Sequence, residues 1–315
     1  MSRSVDQIPS LISVDWGTTA LRIYLLAADG SVLDRRSSQQ GLMGIAAQEF
    51  ATVLQTHCGD WLQRYGTLPA VLSGMVGSRQ GWVEVPYVSC PAGLSELAHG
   101  LAAIDVPGFR SVHIVAGVDT VDRAGVPDVM RGEECQVMGA LAQLQLTGGT
   151  FILPGTHSKW VTVEAGKITS FQTFMTGEIF AVLKNHSILG RMMDQAGSSE
   201  NDEMSAAFAR GIATSARPDG AGIWLHRLFS VRTLGLMGKL SAKDAAAYLS
   251  GLMIGWEIAA LPASQSDPAI LIGTPALTKR YVRAARLRGA ATKEAPEDSV
   301  CAGHIRIAQA AGIRG

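Results

Sequence analysis

The chain is 315 residues long, 47% hydrophobic and 17% charged, so it can form two domains with a large core and is not a disordered chain. Lysine plus arginine and aspartate plus glutamate each number 27, and this balance gives no support for binding to nucleic acid or to an anionic membrane. The four cysteines lie far apart without a CxxC pair, which favours reduced thiols over a zinc site. No apolar signal segment or unbroken membrane-spanning run is found, so we expect a soluble, cytoplasmic protein.

The first predicted element is a β-hairpin over residues 11–26, whose two apolar runs are separated by Asp-Trp-Gly-Thr-Thr. Gly17 permits a tight turn, and Thr18 and Thr19 offer hydroxyl and N–H groups to an anion. Asp15 follows the first apolar run, where a carboxylate can hold a hydrated magnesium ion. The alternative is an ordinary hairpin in which the aspartate and threonines only satisfy the turn.

More β structure and a helix are predicted next. Residues 32–36 return as a third strand, residues 48–65 have apolar side chains at helical spacing, and residues 70–72 form a short buried strand. Three strands, a helix and a further strand resemble the ribonuclease-H-like half-unit of the actin and hexokinase superfamily. This resemblance concerns the fold and implies no chemistry by itself.

A glycine-rich loop follows the strand at residues 70–72 and extends over residues 73–87. Loops at strand ends often form the binding sites of open α/β sheets. We therefore expect the loop to hold a small polar substrate, through hydrogen bonds from Ser78 and Gln80 and an aromatic wall of Trp82 or Tyr87. The alternative is that the two aromatic residues belong to the core beneath a long loop.

The middle of the chain contains the predicted domain boundary and a helix with an acidic start. Residues 112–117 form a strand, and the polar residues 118–128 contain the boundary. The helix at 129–141 has two carboxylates, Glu133 and Glu134, in its first turn. Acidic residues stabilise helix N-termini, so a capping role is the alternative to one carboxylate accepting a proton from a substrate hydroxyl.

A second hairpin over residues 151–163 repeats the arrangement of the first, with Gly155 and Thr156 in its turn. Two such hairpins in two halves of the chain predict a nucleotide held in a cleft between two domains.

The remaining elements are mostly helical. Strands are predicted at residues 168–175 and 269–272. One helix is predicted to begin at residue 176, and further helices are predicted over residues 199–216, 220–230, 241–260, 279–287 and 299–311. Ser241 and Asp244 have the spacing of a helix cap, and Gly251 and Gly255 allow close helix packing. A Gly273-Thr274 step after a strand suits the adenosine of a nucleotide, although many parallel βα turns contain such a glycine.

Together these stretches resemble the 2-dehydro-3-deoxygalactonokinase family of the actin/hexokinase-like superfamily. The matching motifs run in family order over nearly the whole chain and cover residues 14–19, 73–78, 81–82, 86–87, 130–134, 153–161, 175–178 and 249–255. The resemblance implies an ATP- and magnesium-dependent kinase that phosphorylates the 6-hydroxyl of 2-dehydro-3-deoxy-D-galactonate in galactonate catabolism. It also implies two ribonuclease-H-like domains, which we assign to residues 1–125 and 126–315, with a nucleotide cleft between them.

The resemblance and the motifs together give each candidate residue a role. The ATP phosphates would be bound by Asp15 (through magnesium and water), Gly17, Thr18, Thr19, Arg22, Gly155, Thr156 and Lys159, and the adenosine by Gly273 and Thr274. Related sugar kinases have an aspartate at the start of the helix before the second hairpin. This chain has Glu133 and Glu134 there, so which of the two is the base stays open.

Two other classes of function compete with this prediction. One is a kinase for another 2-keto-3-deoxy sugar acid or a phosphohydrolase of the same superfamily, and the other is a sugar-sensing regulator or a filament former. We expect the protein to bind a sugar acid and ATP and to bind neither nucleic acid nor a membrane. Whether it forms a homodimer stays open.

Overall fold

The computed structural model describes residues 8–46, 48–194, 205–216, 222–259 and 267–313. It divides into two compact units. Unit 1 comprises Met1–Gly149, Val161–Phe171 and Ala295–Gly315, and unit 2 comprises Thr150–Trp160 and Gln172–Glu294. The predicted boundary at residue 125 falls inside unit 1, and the predicted pair of domains stays a prediction.

Among the described residues up to Leu144, the chain contains nine strands and three α-helices. In chain order they are β1 (Pro9–Trp16), β2 (Leu21–Ala27), β3 (Val32–Ser38), α1 (Phe50–Tyr65), β4 (Pro69–Ser73), β5 (Val88–Ser89), α2 (Leu94–His99), β6 (Ala102–Ile104), β7 (Ser111–Ile114), β8 (Val118–Val121), β9 (Pro127–Met130) and α3 (Glu133–Leu144).

The chain beyond Leu144 contains the remaining strands and helices of the described residues. They are β10 (Gly149–Leu153), β11 (Ser158–Glu164), β12 (Lys167–Phe174), α4 (Thr176–His186), α5 (Ala206–Ser215), α6 (Ile223–Leu228), α7 (Ser230–Leu236), α8 (Ala242–Ile258), β13 (Ala269–Leu271), α9 (Pro275–Leu287), β14 (Thr292–Glu294) and α10 (Ser299–Ala310).

Apart from the edge strand β6, the two large sheets have the same strand order. The first is β3-β2-β1-β4-β7-β6, and the second is β12-β11-β10-β13-β14. In the first sheet β1 to β3 are antiparallel and β1, β4 and β7 are parallel, while in the second β10, β13 and β14 are parallel. When the strands of each sheet are counted along the chain without β6, both sheets place them in the order third, second, first, fourth, fifth. The predicted α/β fold is confirmed.

Each unit has its own apolar core. In unit 1 the apolar faces of β1, β2, β4 and β7 pack against α1, with Phe50, Leu54 and Trp61 buried from the helix side. In unit 2 the core is built largely from α5 and α8, including Phe208 and Tyr248, together with strands β10 and β13. Burial of such side chains contributes about 1.5–3 kcal/mol each before the entropic cost of ordering them.

Several predicted elements are confirmed with small changes in their ends. The helix predicted over 241–260 is α8, and Ser241 caps it by accepting the Asp244 N–H at 3.2 Å while donating its hydroxyl to the Asp244 carboxylate at 2.6 Å. The helix predicted over 199–216 begins at Ala206, because Ser205 has an extended backbone and caps it by accepting the Phe208 N–H at 3.0 Å; residues 199–204 lie outside the described residues. The segment predicted over 220–230 forms two short helices, α6 and α7, and residues 220–221 are likewise outside.

The structure corrects two predictions in the middle of the chain. Residues 118–130 form the antiparallel β8–β9 hairpin, because the Asp122 carboxylate accepts the N–H groups of Ala124 and Val126 at 2.8 Å and closes the turn. The helix expected from residue 129 begins at Glu133, because Gly132 has a φ of 110° and ends the preceding strand segment.

Candidate functional site

The carboxyl ends of two parallel strands in unit 1 bring Asp15 and Ser73 side by side. Asp15 lies opposite Ser73 of β4 on one side and Arg22 of β2 on the other. The Arg22 guanidinium bonds the Asp15 carboxylate at 3.1 Å, and the aspartate side chain is only 14% exposed. Burial raises the pKa of Asp15, while the charge of Arg22 and its hydrogen bond oppose that increase. A cation is therefore favoured next to this carboxylate.

Two glycines allow the start of α3 to approach the ends of β1 and β4. A Cβ atom at Gly74 would lie 2.7 Å from the Trp16 carbonyl oxygen, and one at Gly132 would lie 3.1 Å from the Gly74 Cα. Both glycines also have positive φ angles, 93° and 110°, which other residues rarely adopt. The close approach brings the first turn of α3, with Glu133 and Glu134, to the strand end that carries Asp15.

The two glutamates of this turn lie in different surroundings. The Glu133 carboxylate accepts the Arg131 N–H at 3.1 Å, and its side chain is half-buried. Glu134 is fully buried, accepts the Gly132 N–H at 2.7 Å, and has its pKa raised to about 8, first by burial and second by the charge of Glu133. At neutral pH Glu134 is therefore mostly protonated, which is unfavourable for a general base.

The first turn, Gly17 to Thr19, is held from behind by a segment that the sequence did not single out. The backbone carbonyls of Gly17 and Thr18 accept the N–H groups of Leu42 and Met43 at 3.0 and 3.2 Å. A Cβ atom at Gly41 would lie 2.3 Å from the Thr19 carbonyl carbon, so only glycine fits there. This support fixes the turn while the side chains of Thr18 and Thr19 stay exposed.

The second turn, Gly155 and Thr156, is fixed in unit 2 by the start of α4. A Cβ atom at Gly177 would lie 2.5 Å from the Gly155 carbonyl oxygen, and the Glu178 N–H donates to the Thr156 carbonyl at 3.0 Å. The adjacent His157 Nε2 bonds the Glu178 carboxylate. Thr156 remains exposed beside this contact.

Lys159 has a different position from the turn residues. Its side chain is 6% exposed, and its Nζ donates to the Thr173 hydroxyl at 2.6 Å, which joins β11 to β12. The ammonium group is thus directed along the sheet in this conformation, and its predicted role toward phosphate stays a prediction.

Glu257 is a buried carboxylate of unit 2 that sequence reasoning missed. It accepts hydrogen bonds from Ser158 at 2.5 Å, Trp160 Nε1 at 2.6 Å and Tyr281 at 2.7 Å, and one from Thr176. The donors come from β11, α4 and α9, so this one side chain connects the second hairpin to three helices. A cavity of about 310 Å³ lies beside it, lined by Phe174, Met175, Thr176, Ile179, Trp224, Met253, Trp256 and Glu257.

Gly273 and Thr274 lie next to the second turn, because β13 is the parallel neighbour of β10. The Ile272 N–H donates to the Ile152 carbonyl at 2.9 Å, and a Cβ atom at Gly273 would lie 3.7 Å from Pro154 Cδ. Both residues are exposed just before α9. In unit 2 the predicted adenosine step and the predicted phosphate turn are therefore neighbours.

The residues of the glycine-rich loop that are predicted to bind the substrate lie in different surroundings. The Trp82 ring stacks on Phe50 at 5.9 Å and contacts Trp16 at 6.4 Å, so it packs against the core. Tyr87 is 41% exposed, and Gln80 is exposed as well. The Ser78 hydroxyl is buried without a hydrogen-bond partner among the described residues.

Within the described ranges no group of three or more histidine, cysteine, aspartate or glutamate side chains could hold a metal ion. A single carboxylate such as Asp15 still suits magnesium, which keeps several waters and relies on phosphate oxygens for its other ligands. Across the described residues no helix is long and apolar enough to cross a membrane.

Comparison with known proteins decides the family. The family model for 2-keto-3-deoxy-galactonokinase matches residues 15–307. The chain belongs to this family. It is 35% identical over 281 residues to the 2-dehydro-3-deoxygalactonokinase of Escherichia coli K12, covering 88% of this chain and 90% of that one. It is 40% identical over 280 residues to a Rhizobium meliloti protein named "Probable 2-dehydro-3-deoxygalactonokinase", covering 88% and 89%.

Solved structures agree with this assignment. A Sinorhizobium meliloti protein whose crystal structure carries the same kinase name superimposes with a TM-score of 0.85 at 37% identity, covering 95% of this chain and 98% of that one. The activator of 2-hydroxyisocaproyl-CoA dehydratase from Clostridium difficile has a TM-score of 0.50 at 13% identity over 95% of both chains, and this likeness concerns the fold alone. The predicted family of sugar-acid kinases is confirmed.

Proposed function

We propose that this protein is an ATP-dependent kinase that transfers a phosphoryl group to the 6-hydroxyl of 2-dehydro-3-deoxy-D-galactonate. The observation that carries the proposal is the convergence of Asp15, the glycine-rich loop and the acidic start of α3 at one end of the first sheet, in a chain of this family. Phosphoryl transfer depends mainly on positioning and charge neutralisation, and this arrangement offers both.

The phosphate groups of ATP would be bound by the two hairpin turns. Thr18 and Thr19 offer exposed hydroxyl and N–H groups, and Gly155 and Thr156 offer the same types of donor in the other unit. Arg22, about half exposed beside Asp15, would offset charge on the transferred group, a role also proposed for Lys159. Gly273 and Thr274 would contact the adenosine.

Magnesium would be held by Asp15 through water. The fit rests on the position of this carboxylate at the carboxyl end of β1, opposite Ser73 and just before the turn at Gly17, and on its oxygen atoms, which magnesium prefers as ligands. Bound magnesium would neutralise phosphate charge, as it does in phosphoryl-transfer enzymes in general. The aspartate itself would orient the ion's water shell, while its bond with Arg22 keeps the carboxylate in place.

Glu133 would accept the proton of the substrate hydroxyl. A primary alcohol is a poor nucleophile until its proton is removed, and a positioned carboxylate contributes about 10²–10⁴ in rate. Glu133 is the less buried of the two glutamates, and Glu134 is held mostly protonated by its surroundings. The sugar acid itself would be held by the loop that contains Ser78, Gln80, Trp82 and Tyr87.

A coupled assay of ADP formation with a panel of 2-keto-3-deoxy sugar acids tests the proposal. We expect ADP to form only when the galactonate derivative is present, with the phosphate at C6 as read by NMR, and to cease when magnesium is chelated. Asp15→Asn should keep the fold and lose most turnover, whereas the control Asp105→Asn, at an exposed position, should stay active. ADP formation without any acid would instead identify a phosphohydrolase, and preference for another acid would change the substrate. A homodimer and a cytoplasmic location stay predictions.

A further inference from the structure

Arg131 is a buried cation of unit 1 without an anionic partner among the described residues. Its side chain is only 9% exposed. One of its terminal nitrogens, Nη2, donates to the Val85 carbonyl at 2.7 Å, and the guanidinium carbon lies 4.4 Å from the centre of the Tyr87 ring. The other two nitrogens, Nε and Nη1, are buried with no hydrogen-bond partner in the described parts of the chain.

Such an arrangement is costly unless an anion completes it. Removing a charged group from water costs several kcal/mol, and one neutral carbonyl and an aromatic ring offset only part of that cost. An arginine side chain presents paired N–H groups whose geometry matches the two oxygens of a carboxylate. Nε and Nη1 donate along different edges of the guanidinium, and each edge is completed by one hydrogen of Nη2. The Val85 carbonyl takes only one Nη2 hydrogen, so one two-donor edge of Arg131 is left to bind a carboxylate.

The residues around this guanidinium are shaped to accommodate it. A Cβ atom at Gly77 would lie 3.0 Å from Arg131 Nη1, and one at Gly117 would lie 2.7 Å from the Tyr87 ring. Larger residues at either position would displace the arginine or the ring on which it lies. The buried hydroxyl of Ser78 follows Gly77 directly and also lacks a partner among the described residues.

Resting on the proposed function, we propose that Arg131 binds the carboxylate of the sugar acid through the second hydrogen of Nη2 together with Nε or Nη1, with the Ser78 hydroxyl as a further donor. Arg131 precedes Gly132 and Glu133 in the chain, so one short segment contacts the substrate carboxylate and supplies the base for its hydroxyl. The nitrogens Nε and Nη1 are covered by protein in this conformation, so the loop over residues 78–87 must shift when the carboxylate enters. This contact makes Arg131 the determinant that selects an acid over a neutral sugar.

The test compares the sugar acid with its neutral primary amide as substrates for the wild type and for Arg131→Gln. We expect the variant to lose about 10²–10³ in kcat/KM for the acid, as is typical when one partner of a buried charged pair is removed. Its kcat/KM for the amide should change less than about threefold, because the amide has no charge to pair. The readout is the ratio of kcat/KM for the acid to kcat/KM for the amide. A merely structural role of Arg131 would lower kcat/KM for both substrates together and leave this ratio unchanged.

Arg79→Gln is the matched control, because Arg79 lies in the same loop, is exposed and pairs with Glu84 only at 3.9 Å. The acid-to-amide ratio of kcat/KM should be the same for Arg79→Gln as for the wild type. A large decrease of this ratio in Arg79→Gln, with no decrease in Arg131→Gln, would overturn the inference. If Arg131→Gln does not fold, Arg131→Lys keeps the charge without the paired geometry and should still lower the ratio at least tenfold; an unchanged ratio there would reject the inference. Wild-type protein that forms no ADP with any sugar acid rejects the proposed function, whereas active protein with an unchanged ratio rejects this inference alone.

Discussion

At the scale of single residues, Glu133 and Glu134 are adjacent in sequence but differ in chemistry. Neighbouring side chains on a helix point about 100° apart, so one reaches the half-exposed surface and the other enters the core. The sequence identified both as candidates and could not separate them, because the burial of Glu134 depends on contacts with distant strands. Separate substitutions can now distinguish their roles.

The first prediction concerns the base. Glu133→Gln should lower kcat by about 10²–10⁴ and leave the KM values for ATP and the sugar acid nearly unchanged, because only proton acceptance is lost. Steady-state kinetics with both substrates varied would measure this. Glu134→Gln should keep most of its activity, since glutamine can still accept the Gly132 N–H in a neutral form. The opposite pattern would assign the base to Glu134, and two active variants would show that the base lies outside the first turn of α3.

The second prediction concerns pH and stability. Because the folded pKa of Glu134 is raised to about 8, its contribution to the free energy of unfolding is fully present below its unfolded pKa near 4.5. That contribution is lost as pH rises toward 8, since the folded state then holds a proton that the unfolded state releases. Urea unfolding between pH 5 and pH 8 should show a smaller decline for Glu134→Gln than for the wild type. Equal declines would show that Glu134 ionises freely in the folded protein.

Other residues show where sequence reasoning reaches its limit. Asp15 and Gly17 could be selected from their own motif, because a strand end and a turn are local features. The packing of the half-buried Trp82 against the core and the burial of Lys159 could not, since the direction of a side chain depends on which distant elements pack against it. Glu257 was visible only as a charge that interrupts an apolar run, because its four donors lie far away in the chain.

At the scale of elements, periodicity predicted the long helices and hairpins better than the short edge strands. The helix α1 and the capped helix α8 have strong local patterns, so their ends were found within two residues. The β8–β9 hairpin lies in a polar stretch and is closed by side-chain bonds of Asp122 that no apolar pattern reports. The close packing predicted for Gly251 and Gly255 is confirmed, because α8 lies directly against α5 at both positions.

The third prediction tests this helix contact. A Cβ atom at Gly251 would lie 2.2 Å from the Phe208 carbonyl oxygen, so Gly251→Ala must push α5 and α8 apart. We expect it to lower the free energy of unfolding by about 1–3 kcal/mol, as overpacking commonly does. Gly59→Ala is the control, since Gly59 lies inside α1 with no atom near its missing Cβ, and it should stabilise the protein by about 0.5–1 kcal/mol. Urea denaturation would measure both, and a neutral Gly251→Ala would contradict the prediction.

At the scale of the whole molecule, the two sheets repeat one strand order although their sequences share only short glycine-containing turns. The sequence predicted this repetition from two hairpins of similar pattern. The membership of α10 in unit 1 was not predicted, because no local pattern states which sheet a distant helix covers. Two close contacts hold it there: a Cβ atom at Gly139 would lie 1.7 Å from the Ser299 carbonyl oxygen, and one at Gly303 would lie 1.9 Å from that of Cys135.

The fourth prediction concerns removal of residues 295–315. The truncated protein loses α10 and with it the bond between Ser13 and His304 Nδ1, 2.7 Å long, beneath β1. Hydrogen exchange should therefore accelerate at the amides of β1 and β4 while those of β10 and β13 keep their protection. Removal of residues 312–315 alone, beyond the helix, should change neither sheet. Equal protection of β1 and β4 in the shorter chain and the wild type would show that α10 is dispensable.

Unit 1 is formed by three separate stretches of the chain, and this has a consequence for its folding during synthesis. Roughly 150 residues separate the end of α3 from the start of α10, and at about 5–20 residues per second a ribosome needs roughly 8–30 s to add them. During that interval β1 and α3 have been synthesised but lack the helix that covers them. The nascent chain must therefore hold the acidic start of α3 in an unfinished unit until residues 299–310 have left the ribosome.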